Sequence, residues 1–395
     1  MYRRLVLLIS LLSFWGVRLC AQLPINPERY PKLISRLDTK DPAEQTMSCE
    51  VKTFQPDMSF DFRLLGGYSI ALPLKHYFGK RQRFSILTRI TPRDTAAPPV
   101  YLRQVASVPE IPRNNKIELQ LNGAYFVGEG KYSIDLLTQD QMGRACRKRW
   151  QIEARRSRSS QALPALMAPG SIAPFTFATW KSIFKSPEND ASHPLRLSVL
   201  LHVAPLFRRS TNLRIADQEM LLGSLASLIQ ELPPSHVQLV AFNLDQQSEV
   251  FRQDEFNSSG WDRLLEAIER LELGKVSYGV LTRRNGHADL LAKLVGEQLA
   301  GSTRPDAVIF LGPTARQNDK AVGVPSKNAA SGFPRFFYFE YKPYLYRGGD
   351  FPDVIYHVTH AFDGKVFRIH SPSEFASALK SVRASLEEKS GQAGE

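Results

Sequence analysis

The chain has 395 residues, 43% of them hydrophobic and 10% aromatic, which is the composition of a globular protein rather than of a disordered one. Such a length exceeds one ordinary hydrophobic core, so we expect two domains joined by a linker. The formal net charge is +12, but no nucleic-acid-binding motif accompanies it. We therefore interpret the charge as a solvated basic surface and expect no nucleic-acid partner.

Residues 1–21 have the pattern of a secretory signal peptide. Two arginines precede an apolar core from Leu5 to Val17, and the small residue Ala21 closes the segment. The apolar run is short for a membrane span, so we expect cleavage after Ala21 and no stable span afterwards. The mature protein would be periplasmic or secreted, and lipidation of Cys20 stays open.

Cleavage would leave Cys49 and Cys146 as the cysteines of the mature chain. Disulfides persist in the compartments that exported proteins reach, so we expect these two residues to be bonded. The alternative is a pair of free thiols buried in a core, an environment that cysteine often occupies.

The N-terminal part of the mature chain falls into three regions of different composition. Residues 22–44 are polar and contain prolines, which favours an extended leader. Residues 45–154 are rich in short alternating segments, typical of an antiparallel β-sandwich of immunoglobulin-like architecture. Residues 155–193 are first basic and then rich in Pro and Ala, which indicates a domain linker. The strand-like segments include Ser59–Leu64, Tyr68–Leu72, Phe84–Ile90, Lys116–Leu121, Gly130–Leu137 and Ala145–Ile152, and the last two are the clearest.

Residues 194–388 alternate strand-like and helix-like segments, which predicts a doubly wound α/β domain. Its first strand, Leu195–Ala204, is a nearly continuous apolar run, so we place it in the middle of a largely parallel sheet. The short segment Glu249–Arg252 is expected at an antiparallel edge. Residues 389–395 are predicted to be a disordered tail.

The order of a buried first strand, an edge hairpin and βα units resembles a von Willebrand factor A domain, most closely the VWFA-related domains of exported bacterial proteins. Leu239–Phe242 and Glu249–Phe251 look like the second and edge strands of that family. Phe362–His370 followed by Glu374–Leu379 looks like its closing strand and helix. The resemblance covers about residues 195–388.

The resemblance implies a metal-ion-dependent adhesion site, in which Asp, Ser and Thr oxygens after the strands hold Mg²⁺. This chain departs from the family there, because apolar and imidazole groups replace the oxygen ligands, and we expect no metal and no cofactor. The positions of this degenerate site are His202, Ala204, Leu206, Thr282, Gly312 and Pro313.

We therefore expect an exported, non-enzymatic protein-binding or scaffold protein with a protein partner in the cell envelope or outside the cell. The candidate interaction surface is an aromatic segment that contains Phe336, Tyr344 and Tyr346. Two alternatives stay open: a metal-dependent adhesin whose ligands lie in another register, and an exported hydrolase that uses His202 or His357.

Overall fold

The structure is a computed structural model, and its contacts divide the chain into two compact units. The first unit comprises Met1–Met58 and Arg63–Thr176, and the second comprises Ser59–Phe62 and Phe177–Glu395. The predicted signal peptide lies outside the described residues. These are residues 22–39, 44–79, 81–112, 116–176, 180–181, 195–207, 210, 213–274, 278–300, 304–318, 323, 334–342 and 351–392.

The first unit consists mainly of antiparallel strands arranged in two sheets, with the orders β1-β5-β4-β7-β8 and β2-β3-β6-β9. The strands are β1 Leu23–Pro24, β2 Glu50–Met58, β3 Leu64–Pro73, β4 Gln82–Pro92, β5 Val100–Val108, β6 Glu118–Val127, β7 Gly130–Asp140, β8 Ala145–Ala154 and β9 Ile172–Pro174. Side chains from both sheets form one hydrophobic core. Tyr132, Ile134 and Leu136 of β7 are buried as their alternation predicts.

Residues 22–44 differ from the predicted extended leader, because they contain helix α1, Pro31–Asp38. Leu37 of this helix is buried in a small cluster with Leu87, Tyr101 and Leu137 of the first sheet. The helix has only eight residues, half of them polar, so its single apolar stripe is not evident from the sequence. Its apolar face stabilises the outer side of that sheet.

The segment Ser59–Leu64, predicted as a strand, is instead a turn followed by the first residue of β3. A backbone hydrogen bond from Phe62 N to the carbonyl oxygen of Ser59 (3.0 Å) closes the turn. Phe62 has a φ of 59°, a conformation that a strand residue does not adopt.

Residues 155–176, assigned above to the linker, belong to the first unit. Strand β9 within them pairs with β6, and Tyr125 lies opposite Pro174. Arg156 forms an ion pair with Glu129 at 3.2 Å and donates to the carbonyl oxygen of Leu163 at 2.9 Å. The basic and Pro-rich residues up to Thr176 therefore form ordered surface structure of the first unit and not a linker.

The disulfide between Cys49 and Cys146 is present, with a Cα–Cα distance of 6.2 Å. Cys49 directly precedes β2, and Cys146 lies on β8. The bond therefore connects strands of the two sheets near the start and end of the first unit's β structure.

The second unit contains one six-stranded sheet with the order β12-β11-β10-β13-β14-β15. Its strands are β10 Arg196–His202, β11 His236–Asn243, β12 Ser248–Gln253, β13 Ala307–Pro313, β14 Arg335–Tyr341 and β15 Lys365–Ile369. All neighbouring pairs are parallel except β11 and β12. The apolar first strand of the unit therefore lies inside the sheet, and β12 forms an antiparallel edge.

Helices cover both faces of this sheet. They are α2 Ile215–Gln218, a π-helical turn Glu219–Gly223, α3 Ser224–Glu231, α4 Ser258–Glu269, α5 Tyr278–Thr282, α6 Gly286–Ala300, α7 Val354–Ala361 and α8 Pro372–Gln392. Helices α6 and α7 share a core cluster with Leu200, Val308 and Phe310 of the strands. On the opposite face, Phe339 packs against Phe375 of α8, with 5.4 Å between ring centroids.

Within the described residues, the structure contains no helix of the length and apolarity that crossing a bilayer requires.

Candidate functional site

The carboxyl edge of the second unit's sheet is where an α/β fold places its ligands, and β10 ends there at His202. The His202 side chain is only 3% exposed and stacks on Phe242, with 5.3 Å between ring centroids. Its Nδ1 lies 3.0 Å from the carbonyl oxygen of Pro313. Because a carbonyl oxygen only accepts, Nδ1 carries a proton, and in the neutral ring Nε2 would hold the lone pair.

The ends of β10 and β13 approach closely because residue 312 is a glycine. Gly312 has a φ of 156°, and a Cβ there would lie 2.6 Å from the carbonyl oxygen of His202. A side chain at this position would therefore push the two strand ends apart. His202, Gly312 and Pro313 thus form one packed junction.

Two other positions of the predicted degenerate site lie on the loop after β10. Ala204 is buried, and the backbone N–H of Leu206 donates to Asp217 Oδ1 at 2.9 Å. The second oxygen of Asp217 accepts from the backbone N–H of Arg214 at 2.8 Å. Backbone donors therefore occupy both oxygens of this nearby carboxylate.

Thr282 lies on α5, and its hydroxyl donates to the carbonyl oxygens of Tyr278 and Gly279 in the same helix. The structure describes no contact that brings Thr282 to the junction at His202. Helix α5 nevertheless lies near the carboxyl edge, because Gln247 Nε2, in the turn after β11, donates to the carbonyl oxygen of Val280 in the helix at 3.5 Å and to that of Arg283 just after it at 3.0 Å.

Burial lowers the pKa of His202, which favours the neutral imidazole. Nearby Asp245 acts in the opposite direction, but its charge is shared with Arg316, 3.1 Å away. The His202 ring is hydrogen-bonded to a backbone carbonyl and not to a carboxylate, the usual partner of a catalytic base. The observed contacts are those of a structural histidine.

His357, the other candidate for hydrolysis, lies half-buried on α7 beside Tyr356. The same tyrosine ring lies 4.4 Å from the exposed ring of His360. Both histidines therefore flank one aromatic side chain on the helix surface. In the described part of the chain, no group of three or more His, Cys, Asp or Glu residues has the geometry to hold a metal ion.

Buried carboxyl groups near this edge were missed by the sequence analysis. Asp353 caps α7, accepting from Tyr356 N at 2.7 Å, and its other oxygen accepts from Ala315 N at 2.6 Å and from the Tyr338 hydroxyl at 2.9 Å. Burial raises its pKa to about 6. An aspartate directly before an apolar helix is a recognisable capping signal, but its burial depends on the tertiary fold.

Glu340 of β14 is also buried, and its carboxylate has three polar neighbours. Thr314 Oγ1 donates to it at 2.9 Å, Lys342 Nζ lies 3.5 Å away, and Arg368 Nε lies 3.9 Å away. These contacts compensate the cost of burying the charge and link the ends of β13, β14 and β15.

Large apolar side chains are exposed in the segments at this edge. Tyr278 and Leu281 of α5 are 82% and 69% exposed. Phe207, after β10, is 53% exposed, and Phe351, before α7, is 72% exposed. Exposed apolar side chains on loops above a rigid sheet are typical of a protein-binding edge.

Phe336 is not part of an exposed aromatic surface, contrary to the prediction from the sequence. Phe336 lies on β14 and is only 2% exposed, with its ring stacked on Phe362 at a centroid distance of 4.4 Å. It belongs to the core because its strand lies between β13 and β15. Tyr344 and Tyr346, the other two residues of that prediction, lie outside the described residues.

No family model and no curated protein matches the chain. Three solved structures give weak similarities. They are the X-ray structure of the structural genomics target SoR45 (14% identity, 32% of this chain, 95% of that chain, TM-score 0.18), the sporulation control protein Spo0M from Bacillus subtilis (14%, 28%, 50%, TM-score 0.15) and a lipoprotein from Bacteroides thetaiotaomicron (9%, 34%, 98%, TM-score 0.14). At these TM-scores the similarities carry no argument about fold or function.

Proposed function

We propose that the chain is an exported, non-enzymatic binding or scaffold protein. Its second unit would be a von Willebrand factor A-like domain without the metal site, and its first unit an immunoglobulin-like sandwich. The Cys49–Cys146 disulfide supports export, because such bonds persist in oxidising compartments.

The topology of the second unit supports the A-like assignment. Counted within the unit, its strands lie in the order 3-2-1-4-5-6, which is the doubly wound order with a crevice at the carboxyl ends of strands 1 and 4. The antiparallel edge strand β12 is the third strand in this count, in agreement with the edge hairpin that the resemblance predicts.

The chemistry of the strand ends supports a site without metal. Mg²⁺ requires hard oxygen ligands, and His202, Ala204 and Leu206 offer an imidazole and two hydrocarbon side chains in their place. The carboxylate of Asp217, in the helix that follows this loop, accepts hydrogen bonds from the backbone N–H groups of Leu206 and Arg214.

The single observation that carries the binding proposal is the exposure of Tyr278 and Leu281 at the carboxyl edge. Tyrosine is among the residue types that contribute most to protein interfaces, and Leu281 adds exposed apolar surface on the same short helix. The partner would be a protein with an apolar pocket.

The test is a pull-down from envelope fractions with the tagged, full-length protein. Replacing Tyr278 and Leu281 with Ser should weaken capture of the partner by at least about 30-fold, the equivalent of roughly 2 kcal/mol. The matched control replaces Phe54 and Met142, two exposed apolar residues of the first unit, with Ser. Equal capture by both folded variants and the wild type would refute binding through this edge.

A further inference from the structure

The tetrapeptide Ser59–Phe62 belongs to the second unit, although the residues on both sides of it belong to the first. Ser59, Asp61 and Phe62 are buried, and Phe60 is half-buried. Four elements of the second unit contact it: the π-helical turn, α3, β14 and α8. Together these elements enclose the tetrapeptide within the second unit.

Two side chains bind the backbone of Phe60, as a receptor binds a peptide. The N–H of Phe60 donates to Glu219 Oε1 at 2.6 Å. The hydroxyl of Ser227 donates to the carbonyl oxygen of Phe60 at 2.9 Å. Both polar groups of one residue's backbone are therefore satisfied by side chains of the second unit.

Aromatic rings receive the two phenylalanines. The Phe60 ring meets Tyr341 edge-on at a centroid distance of 5.3 Å and Phe375 at 6.1 Å. The Phe62 ring lies 6.0 Å from the same Phe375 ring. These are the separations at which aromatic pairs attract each other beyond simple burial.

A third contact selects the acidic side chain between the two rings. Asp61 is fully buried, and its Oδ2 accepts from the indole N–H of Trp180 at 2.7 Å. Its Oδ1 accepts from the hydroxyl of Ser59 within the tetrapeptide. The site thus contacts three features of the tetrapeptide: the backbone of Phe60, the two phenylalanine rings and the carboxylate of Asp61.

The conformation of the bound tetrapeptide and of its site includes three energetically unfavourable features. Phe62 adopts a φ of 59°, which is unfavourable for a residue with a side chain. Glu219 and Asp61 are buried together, and burial and the charge of Asp61 raise the pKa of Glu219 to about 8. The π-helical turn that carries Glu219 is a rare conformation, frequent at functional sites. Strained backbone of this kind clusters at active sites, ligand clamps and switch regions of proteins.

We propose that Trp180, Glu219, Ser227, Tyr341 and Phe375 form a recognition site for acidic–aromatic peptides of the Phe-Asp-Phe type. The tetrapeptide Ser59–Phe62 occupies this site as a displaceable internal ligand. A partner segment with two aromatic residues flanking a carboxylate competes for the same contacts. This site is separate from the exposed side chains of the proposed binding edge and does not depend on that proposal.

The test uses the full chain with the internal ligand removed, as the triple variant Phe60→Ser, Asp61→Ser and Phe62→Gly. Glycine suits the positive φ at position 62. A fluorescently labelled peptide with the sequence of residues 57–63 should bind this variant saturably. Wild-type protein should bind it at least tenfold more weakly, because a tethered segment competes at an effective concentration of about 1 mM.

Two receptor variants in the triple-variant background separate recognition from non-specific adhesion. Ser227→Ala removes the donor to the Phe60 carbonyl and should weaken peptide binding about fivefold. Ser377→Ala is the matched control, because that hydroxyl donates within its own helix, to the carbonyl oxygen of Ser373. A peptide with both phenylalanines replaced by Ala should not bind.

A second readout covers the case in which the triple variant does not fold. Chymotrypsin cleaves after phenylalanine, so the wild-type chain should be cut after Phe60 or Phe62 only when the tetrapeptide leaves its site. Millimolar peptide should accelerate this cleavage, and the Ala-substituted peptide should not. A folded triple variant without saturable binding, or cleavage that is indifferent to peptide, overturns the proposal.

Discussion

His202 Nδ1 donates a hydrogen bond to the carbonyl oxygen of Pro313, and this contact joins the ends of β10 and β13. It occurs where an A-like domain with a metal would place its first ligand. Burial lowers the pKa of His202 and so favours the neutral ring, and the donation from Nδ1 fixes the tautomer of that neutral ring. Under the A-like assignment proposed above, a packing contact would stand here in place of a metal ligand.

Replacing His202 with Ala should therefore destabilise the protein while partner binding remains. The variant loses a buried ring and leaves the Pro313 carbonyl without this donor, which together cost about 2 to 4 kcal/mol. Urea unfolding measures the loss. His370→Ala, at a more exposed ring beside Glu374, is the control and should change stability by less than about 1 kcal/mol. If the variant instead loses partner binding while its stability stays unchanged, His202 contacts the partner and does not have a packing role.

Divalent metal should leave the melting temperature of the full chain unchanged. The junction of His202, Gly312 and Pro313 has no side-chain oxygen, so Mg²⁺ and Mn²⁺ find no hard ligands there. A metal at a hundred times its Kd adds roughly 2.7 kcal/mol to a native state that binds it, which calorimetry detects readily. A rise in melting temperature that Asp217→Asn abolishes would restore the metal-dependent adhesin.

Reduction of the disulfide should destabilise the first unit. Cys49 and Cys146 are separated by 97 residues, and the loop-entropy model assigns such a bond roughly 4 kcal/mol. Thiol labelling of the denatured, exported protein should find no free thiol before reduction and two after it. The double variant Cys49→Ala and Cys146→Ala should reproduce the loss and no longer respond to reductant. Two free thiols in the unreduced protein would contradict the bond.

The α/β sheet could be predicted from the sequence because its inner strands, such as β10 and β13, are buried on both faces and appear as apolar runs. Leu195–Ala204 indicated β10, and Glu249–Arg252 indicated the edge strand β12. The alternation of Ser59–Leu64 was misleading. Its period of two suits a strand, but the two phenylalanines pack in the second unit, and no local pattern reveals so distant a contact.

The candidate site was only partly predictable for the same reason. The absence of oxygen ligands at His202, Ala204 and Leu206 follows from residue types alone. The burial of Glu219, Asp353 and Glu340 does not, because each carboxylate is covered by residues distant in sequence. Phe336 was assigned to a surface since its aromatic neighbours were counted without the strand pairing that buries them.

The protein should become less stable as the pH rises from 5.5 to 8.5. Burial, with the charge of Asp61, raises the pKa of Glu219 from 4.5 to about 8, so the folded state holds a proton that the unfolded state releases. Stability from this proton is complete below pH 4.5 and is lost as the pH rises through 8, by an amount on the order of 4 kcal/mol. Asp353, with a pKa raised to about 6, acts in the same direction at lower pH.

Urea unfolding followed by tryptophan fluorescence at several pH values measures this slope, and Trp180 reports on the environment of Asp61. Glu219→Gln keeps the acceptor for Phe60 N but removes the titrating proton, so its stability should vary much less between pH 6.5 and 8.5. Glu231→Gln, at an exposed ion pair with Arg383, is the matched control and should retain the wild-type slope. An identical slope in the Glu219→Gln variant would show that the carboxyl group is ionised in the folded protein.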